Sequence, residues 1–221
     1  MAKEIKNENE AVLDAVSKTE QFLEKNKKLI WSVIAALVVV AAAGYCVYRF
    51  VYRPAKAEAL EQISMAEANF RQGNYELALK GDGNVLGFED IIAEYGNKAG
   101  KAAYLYAAVC AMQASDPDTA LDYLSKYSSK DQLIASRAEA LKGDAYCSKG
   151  DYAKAAAAFE KAAKTADCVF SAGYLLKAGE AYEALGQNDK ALAAYELIKD
   201  QYGNSIEAAD IDKYIARLQV K

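Results

Sequence analysis

Residues 141–163 read LKGDAYCSKGDYAKAAAAFEKAA, and residues 176–198 read LKAGEAYEALGQNDKALAAYELI. The two stretches share a template: Gly143 pairs with Gly179, Tyr146 with Tyr182, Gly150 with Gly186, Ala155 with Ala191 and Phe159 with Tyr195, each pair 36 residues apart. A fixed period of that length means one supersecondary unit is being stacked on itself. Laid 35 residues upstream, the template finds Ala108, Ser115, Ala120 and Leu124 within 106–124. A fourth, imperfect copy carries Gly73, Tyr75 and Ala78 at the right relative spacing. Gly73 and Ser115 are 42 residues apart, about a repeat plus seven, and the surplus lies in KGDGNVLGFEDIIAEYG, where Gly81, Gly83 and Gly87 interrupt the helix. This insertion reads either as a partner-binding loop or as a lengthened turn between helices.

The residue types at the template positions have physical roles. A small residue in the first helix (Ala108, Gly143, Gly179) lets a second helix approach closely, and one in the second helix (Ala120, Ala155, Ala191) meets it from the other side. Tyr146, Phe159, Tyr182 and Tyr195 fill the space around that contact. Gly150 and Gly186 suit the left-handed position after a helix end, and Asp116-Pro117 and Asp151 read as helix starts. The pattern resembles the tetratricopeptide repeat (TPR), a helix-turn-helix of about 34 residues that stacks into a solenoid. The fold expected is therefore all-α: three to four such repeats, at 54–96, 98–130, 133–167 and 170–203, closed by a capping helix over 205–219. In that last segment Ile206, Ile211, Ile215 and Leu218 recur at near-helical intervals, as a cap with one polar face requires. Composition agrees: 45 of 221 residues are alanine and two are proline.

Upstream of the repeats, Leu29 to Tyr48 (LIWSVIAALVVVAAAGYCVY) contains no charge over 20 residues. At 1.5 Å per residue such a helix spans roughly 30 Å, the thickness of a bilayer's hydrocarbon layer. Trp31, Tyr45, Tyr48 and Tyr52 suit its interfaces, and Arg49 and Arg53 can snorkel at the far end. Residues 29–52 are thus expected to be a single transmembrane helix. Ala41-Ala42-Ala43 resembles a signal-peptidase site. The preceding 28 residues, however, hold six acidic and six basic side chains, and the apolar run continues past the cut, which favours an uncleaved signal-anchor. Tyr45 before Cys46 argues against lipidation. The tail 1–28 places Val12, Val16, Thr19 and Leu23 on one face, as a short helix or a mobile segment. Lys18, Lys25, Lys27 and Lys28 outnumber Arg49, Arg53 and Lys56, which favours a cytoplasmic N-terminus. The domain 54–221, with a net charge of −6, would then stand on the outer face of the inner membrane, its opening helix leading directly out of the bilayer.

The chain has no histidine, which excludes Ser-His-Asp and Cys-His nucleophile pairs and histidine metal ligands. It carries no Walker loop, dinucleotide glycine motif or metal-ligand spacing, and its acidic charge, spread evenly, suits no phosphate backbone. No enzyme activity, no cofactor and no nucleic acid are expected. Cys110, Cys147 and Cys168 lie among apolar helical neighbours as small packing residues. In an oxidising compartment one disulfide is open to them, with Cys110 and Cys147 as the pair to test. Their usage leans towards reduced thiols.

The resemblance implies a concave groove lined by the first helix of each pair. On this sequence it points Leu105, Val109, Met112 and Gln113 inward from one repeat, Arg137, Ala140, Asp144, Cys147 and Ser148 from the next, and Leu176, Glu180 and Glu183 from the last. The Lys/Asn/Arg clamp by which some TPR domains hold a C-terminal carboxylate is missing there. An apolar side and an acidic side suit a peptide with apolar and basic side chains. The same positions also suit inter-repeat packing (Leu105, Val109, Leu176) and plain solubility (the acids). The layout of charged tail, single span and short TPR domain is similar to inner-membrane TPR proteins of Gram-negative envelopes, and LKGDGNVLGFEDIIAEYGNKAGKAAYLYAA looks like the Bacteroidetes version. That resemblance implies partners among translocon components, envelope chaperones and client polypeptides, with the lipid bilayer held through Leu29–Tyr48.

Overall fold

A computed structural model describes residues 23–219; most of the N-terminal tail, including Val12, Val16 and Thr19, lies outside them. The chain divides after Pro54 into two units. In the first, helix α1 (Lys27–Val47) is long and apolar enough to cross a membrane, and none of its residues is buried. Ser32 donates its hydroxyl to the Leu29 carbonyl at 2.7 Å, so its polar group is satisfied within the helix. A π-helical turn follows over Tyr48–Tyr52, bringing those two rings to 5.8 Å.

The second unit is built from α2 (Arg53–Arg71), α3 (Tyr75–Lys80), α4 (Phe88–Tyr95), α5 (Lys101–Gln113), α6 (Pro117–Lys126), α7 (Gln132–Ser148), α8 (Tyr152–Thr165), α9 (Ser171–Ala184), α10 (Asn188–Gln201) and α11 (Ala208–Gln219). There are no strands among the described residues, only an isolated bridge between Gly81 and Leu86. Four turns join helices in one way. Gly73, Ser115, Gly150 and Gly186 all have positive φ, at 79°, 60°, 74° and 69°. The following amide in each case reaches the carbonyl five residues back: Asn74 to Asn69, Asp116 to Ala111, Asp151 to Tyr146 and Gln187 to Tyr182, at 2.9–3.0 Å. This is the Schellman closure that reverses a helix within two or three residues. Asp116 then caps α6 by accepting from the Thr119 amide at 3.0 Å, and Asp151 caps α8 by accepting from Lys154 at 3.3 Å.

Five residues after each of these turns stands a fully buried alanine, Ala78, Ala120, Ala155 or Ala191. Four residues later in the last three repeats comes a large buried side chain: Leu124, Phe159 or Tyr195. Phe159 and Tyr195 lie where a methyl group on Gly143 or Gly179 would stand, which is why the first helices carry glycine there. Repeats are sewn together by buried hydroxyls: Ser136 donates to the Ala162 carbonyl at 2.8 Å and Ser171 to Ala166 at 2.9 Å.

In the first repeat the second helix is split into α3 and α4 by the glycine-rich insertion. Asp82 organises it, accepting from the amides of Asn84 at 2.9 Å and Val85 at 2.8 Å. Gly87 is pressed against the Leu79 carbonyl with no room for a Cβ. At the other end α11 buries Ile211, Ile215 and Leu218 and leaves Asp210, Asp212, Lys213 and Arg217 exposed. Ile206 departs from the expectation that it belongs to this apolar face. The Ser205 hydroxyl accepts from the Ala208 amide at 3.2 Å, so the helix starts at Ala208 and Ile206 is left 90% exposed in the preceding turn.

Candidate functional site

Of the twelve groove positions singled out from the sequence, three are gathered in one notch. Asp144 and Cys147 on α7, Tyr152 and Phe159 on α8, and Lys177, Glu180 and Ala181 on α9 line a cavity of about 270 Å³. The 36-residue period puts Asp144 and Glu180 at the same register of neighbouring first helices. Lys177 pairs with the first of them. Its ammonium donates to Asp144 at 2.7 Å and lies 5.4 Å above the centre of the Phe159 ring. Lys177 follows Leu141 by 36 residues and so breaks the repeat's chemistry at that register; comparing the copies for differences rather than identities would have found it. Two carboxylates and one ammonium leave the notch one negative charge. Burial first, and then the Asp144 charge, push the Cys147 thiol up, which favours its protonated form.

The remaining positions lie elsewhere. Leu105 and Met112 are half-buried and pack on the core of the first two repeats, and Leu176 packs on that of the last. Val109 is half-buried as well. Gln113 is exposed and borders an open hollow of about 1010 Å³ beside Gly73–Gly81. Arg137 is exposed, its guanidinium 5.7 Å from the centre of the Phe170 ring in the next repeat. Glu183 is engaged in the scaffold: it accepts from the Tyr195 hydroxyl at 2.7 Å and from Arg217 at 2.5 Å, tying α9, α10 and α11 together. Burial, then the Glu183 hydrogen bond and charge, raise the Tyr195 pKa, so the phenol remains a donor.

Residues 140–206 match the family model described as tetratricopeptide repeat. The fold is a TPR-type solenoid. Among solved structures, the crystal structure of MamA protein superposes with a TM-score of 0.59 at 19% identity, covering 73% of this chain and 82% of that one. At that identity the likeness speaks for the fold. No curated protein matches the sequence. TPR repeats generally bind protein partners, and the notch between α7 and α9 is one place where this solenoid puts unlike charges, an aromatic ring and open volume together.

Proposed function

We propose that the chain is a membrane-tethered protein-interaction module, a periplasmic adaptor or chaperone-like factor that works beside the protein translocation machinery without catalysis of its own. α1 is its anchor in the inner membrane. The first helices of the repeats present peptide-binding positions: Leu105, Val109, Met112, Gln113, Arg137, Asp144, Cys147, Leu176 and Glu180. The observation that carries this reading is the notch. Its uncompensated carboxylate accepts a basic side chain, while Cys147 and Tyr152 offer apolar surface to the neighbouring residues of the same peptide. Tethering raises the effective concentration of the domain at the membrane, so modest affinity suffices.

Photo-crosslinking in native membranes tests it. A crosslinker in place of Glu180 or Val109 is expected to trap translocon components or exported polypeptides, while one in place of the exposed Ala157 or Ala193 on the second helices traps none. Equal labelling from both faces removes the groove from the proposal. A second reading, a cytoplasm-facing scaffold of a membrane complex, draws on the cysteines: Cys46, Cys110, Cys147 and Cys168 are all free thiols, as in a reducing compartment. A periplasm-dependent reporter fused after Lys221 separates the two. Activity supports the first reading, and silence from a stably expressed fusion supports the second.

A further inference from the structure

Successive steps of the solenoid fill one set of three positions differently. Each set takes a residue from a first helix, the large residue buried on the second helix, and a residue from the first helix of the next repeat, at intervals that the period fixes. Between α5 and α7 the three are Val109, Leu124 and Leu141, all apolar; Leu124 is fully buried and Leu141 packs on the same core. Between α7 and α9 they are Asp144, Phe159 and Lys177, an ion pair at 2.7 Å beside a ring. Between α9 and α11 they are Glu180, Tyr195 and Lys213. Here the lysine is drawn away: Lys213 pairs with Asp210 on its own helix, and Tyr214 lies against the Tyr195 ring at 5.3 Å.

Glu180 is thereby left without the cation that its counterpart Asp144 has. It is exposed, and no ion pair or hydrogen bond engages it among the described residues. It lines the notch between α7 and α9 together with Tyr152, which is 38% exposed and on which no ring or cation packs among the described residues. The Cys147 thiol feels both carboxylates and the Lys177 ammonium, so the three charges converge on one spot. Other charges on these helices are engaged elsewhere: Lys142 with Glu139, Lys154 with Asp151 and Arg217 with Glu183. The notch therefore holds two pairings of a carboxylate with an aromatic ring, the combination that receives a cation. Asp144 with Phe159 is served by the chain's own Lys177, and Glu180 with Tyr152 by no cation of this chain.

We infer that Lys177 sets the specificity of the notch: it takes the place of one of two ligand cations, so a peptide is recognised by a single lysine or arginine, received at Glu180 and Tyr152, and a second basic residue adds nothing. The inference rests on the peptide-groove reading of the notch. With Lys177 present, one ligand cation neutralises the site, and a second meets an ammonium instead of a carboxylate. Without Lys177, two carboxylates face the ligand. The fold does not require this lysine, because Leu141 stands at the same register one repeat earlier.

The test uses the full chain in nanodiscs of phosphatidylcholine, which has no net charge, and capped peptides of leucine and alanine labelled with an uncharged dye. One peptide carries a single lysine, a second two lysines, adjacent or separated by alanine, and a third glutamine in place of lysine; distant glutamates hold all at the same net charge. Lys177→Leu installs the residue that the preceding repeat uses, Lys177→Gln removes the charge and keeps a polar tip, and a cooperative melt verifies folding. Fluorescence anisotropy at low ionic strength, where exposed charges are least screened, reads the affinities. The unaltered chain is expected to bind the one-lysine and two-lysine peptides alike and the glutamine peptide about fivefold more weakly. Lys177→Leu and Lys177→Gln are expected to bind the two-lysine peptide about fivefold more tightly than the one-lysine peptide, while Lys177→Arg behaves as the unaltered chain does. A preference for two lysines in the unaltered chain, or its absence from both neutral variants, overturns the role of Lys177. Binding of the one-lysine peptide that Glu180→Gln abolishes leaves the groove reading standing in either case. Equal binding of the lysine and glutamine peptides by the unaltered chain removes the notch as a peptide site and this inference with it.

Discussion

One missing methyl group sets how closely α9 and α10 approach. The Gly179 position is occupied by the Tyr195 ring, which is fully buried and held at its hydroxyl by Glu183. Gly179→Ala gains about 1 kcal/mol of helix propensity but must displace a ring that has nowhere to go. Overpacking of this kind costs about 1–3 kcal/mol, so a net loss of roughly 1 kcal/mol is expected from the urea midpoint; an unchanged or raised midpoint would show that the ring moves freely. Ser115 presents the reverse case. It holds φ at 60°, where its three counterparts are glycine. An L-residue there costs about 1–2 kcal/mol, and glycine's extra freedom in the unfolded chain returns about 0.5–1 of it. Ser115→Gly is therefore expected to raise stability by about 0.5 kcal/mol, with a lower midpoint contradicting the argument. Both sites were legible in the sequence because the period exposes them. Glu183 was not: its partner Arg217 comes from the capping helix, beyond the last repeat, where no template position announces it.

At the scale of the element, the insertion in the first repeat can be dissected from what it leaves undisturbed. Phe88 and Ile91 are fully buried and three residues apart, as are Phe159 and Ala162, and Tyr195 and Ile198, in the later repeats. The aromatic follows the buried alanine by ten residues in the first repeat (Ala78 to Phe88) and by four in the others (Ala155 to Phe159). The surplus is thus six residues, and α3 and α4, of six and eight residues, together match the fourteen of α8. Counting between turns in the sequence gave about seven, because the spacing of the turns is itself 35 in one copy and 36 in the next. Only the buried ring shows which residue resumes the helix. Replacing Gly81–Gly87 with a single alanine restores the four-residue spacing, and the variant is expected to keep a cooperative melt while gaining helical signal at 222 nm. Loss of cooperativity would make the loop part of the core rather than an insertion on it. The exposure of Ile206 escaped sequence reading for a related reason: it fits the helical spacing of the cap, and only the hydrogen bond that the Ser205 hydroxyl accepts from the Ala208 amide shows the helix starting after it.

Over the whole molecule, folding depends on keeping buried phenols and a thiol neutral while the many carboxylates remain charged. Burial pushes Cys110 up to about 12. Burial, and then neighbouring carboxylates, push Tyr123 up to about 12; burial, and then the hydrogen bond to Glu160, do the same for Tyr182. Each group binds its proton more tightly folded than unfolded, so its contribution is intact below its unfolded value, near 9 for the thiol and 10 for the phenols. It is lost as pH climbs from there towards 12. Glu139 works in the opposite direction: burial opposes its charge, yet hydrogen bonds from Lys142 at 2.8 Å and Lys161 at 3.1 Å hold its pKa below the usual glutamate value. Its contribution is present above an unfolded value near 4.5 and fades on acidification. The stability profile should accordingly be level from about pH 5 to 9 and fall on the alkaline side in two stages. Urea midpoints measured at half-unit steps check this: Cys110→Ala is expected to remove the decline that begins near pH 9, and Tyr123→Phe to lessen the later one. Because Cys110 and Tyr123 lie in one repeat and Tyr182 in another, two that do not share a hairpin, a profile that stays flat to pH 11 would mean that these helices do not pack as the 36-residue period requires.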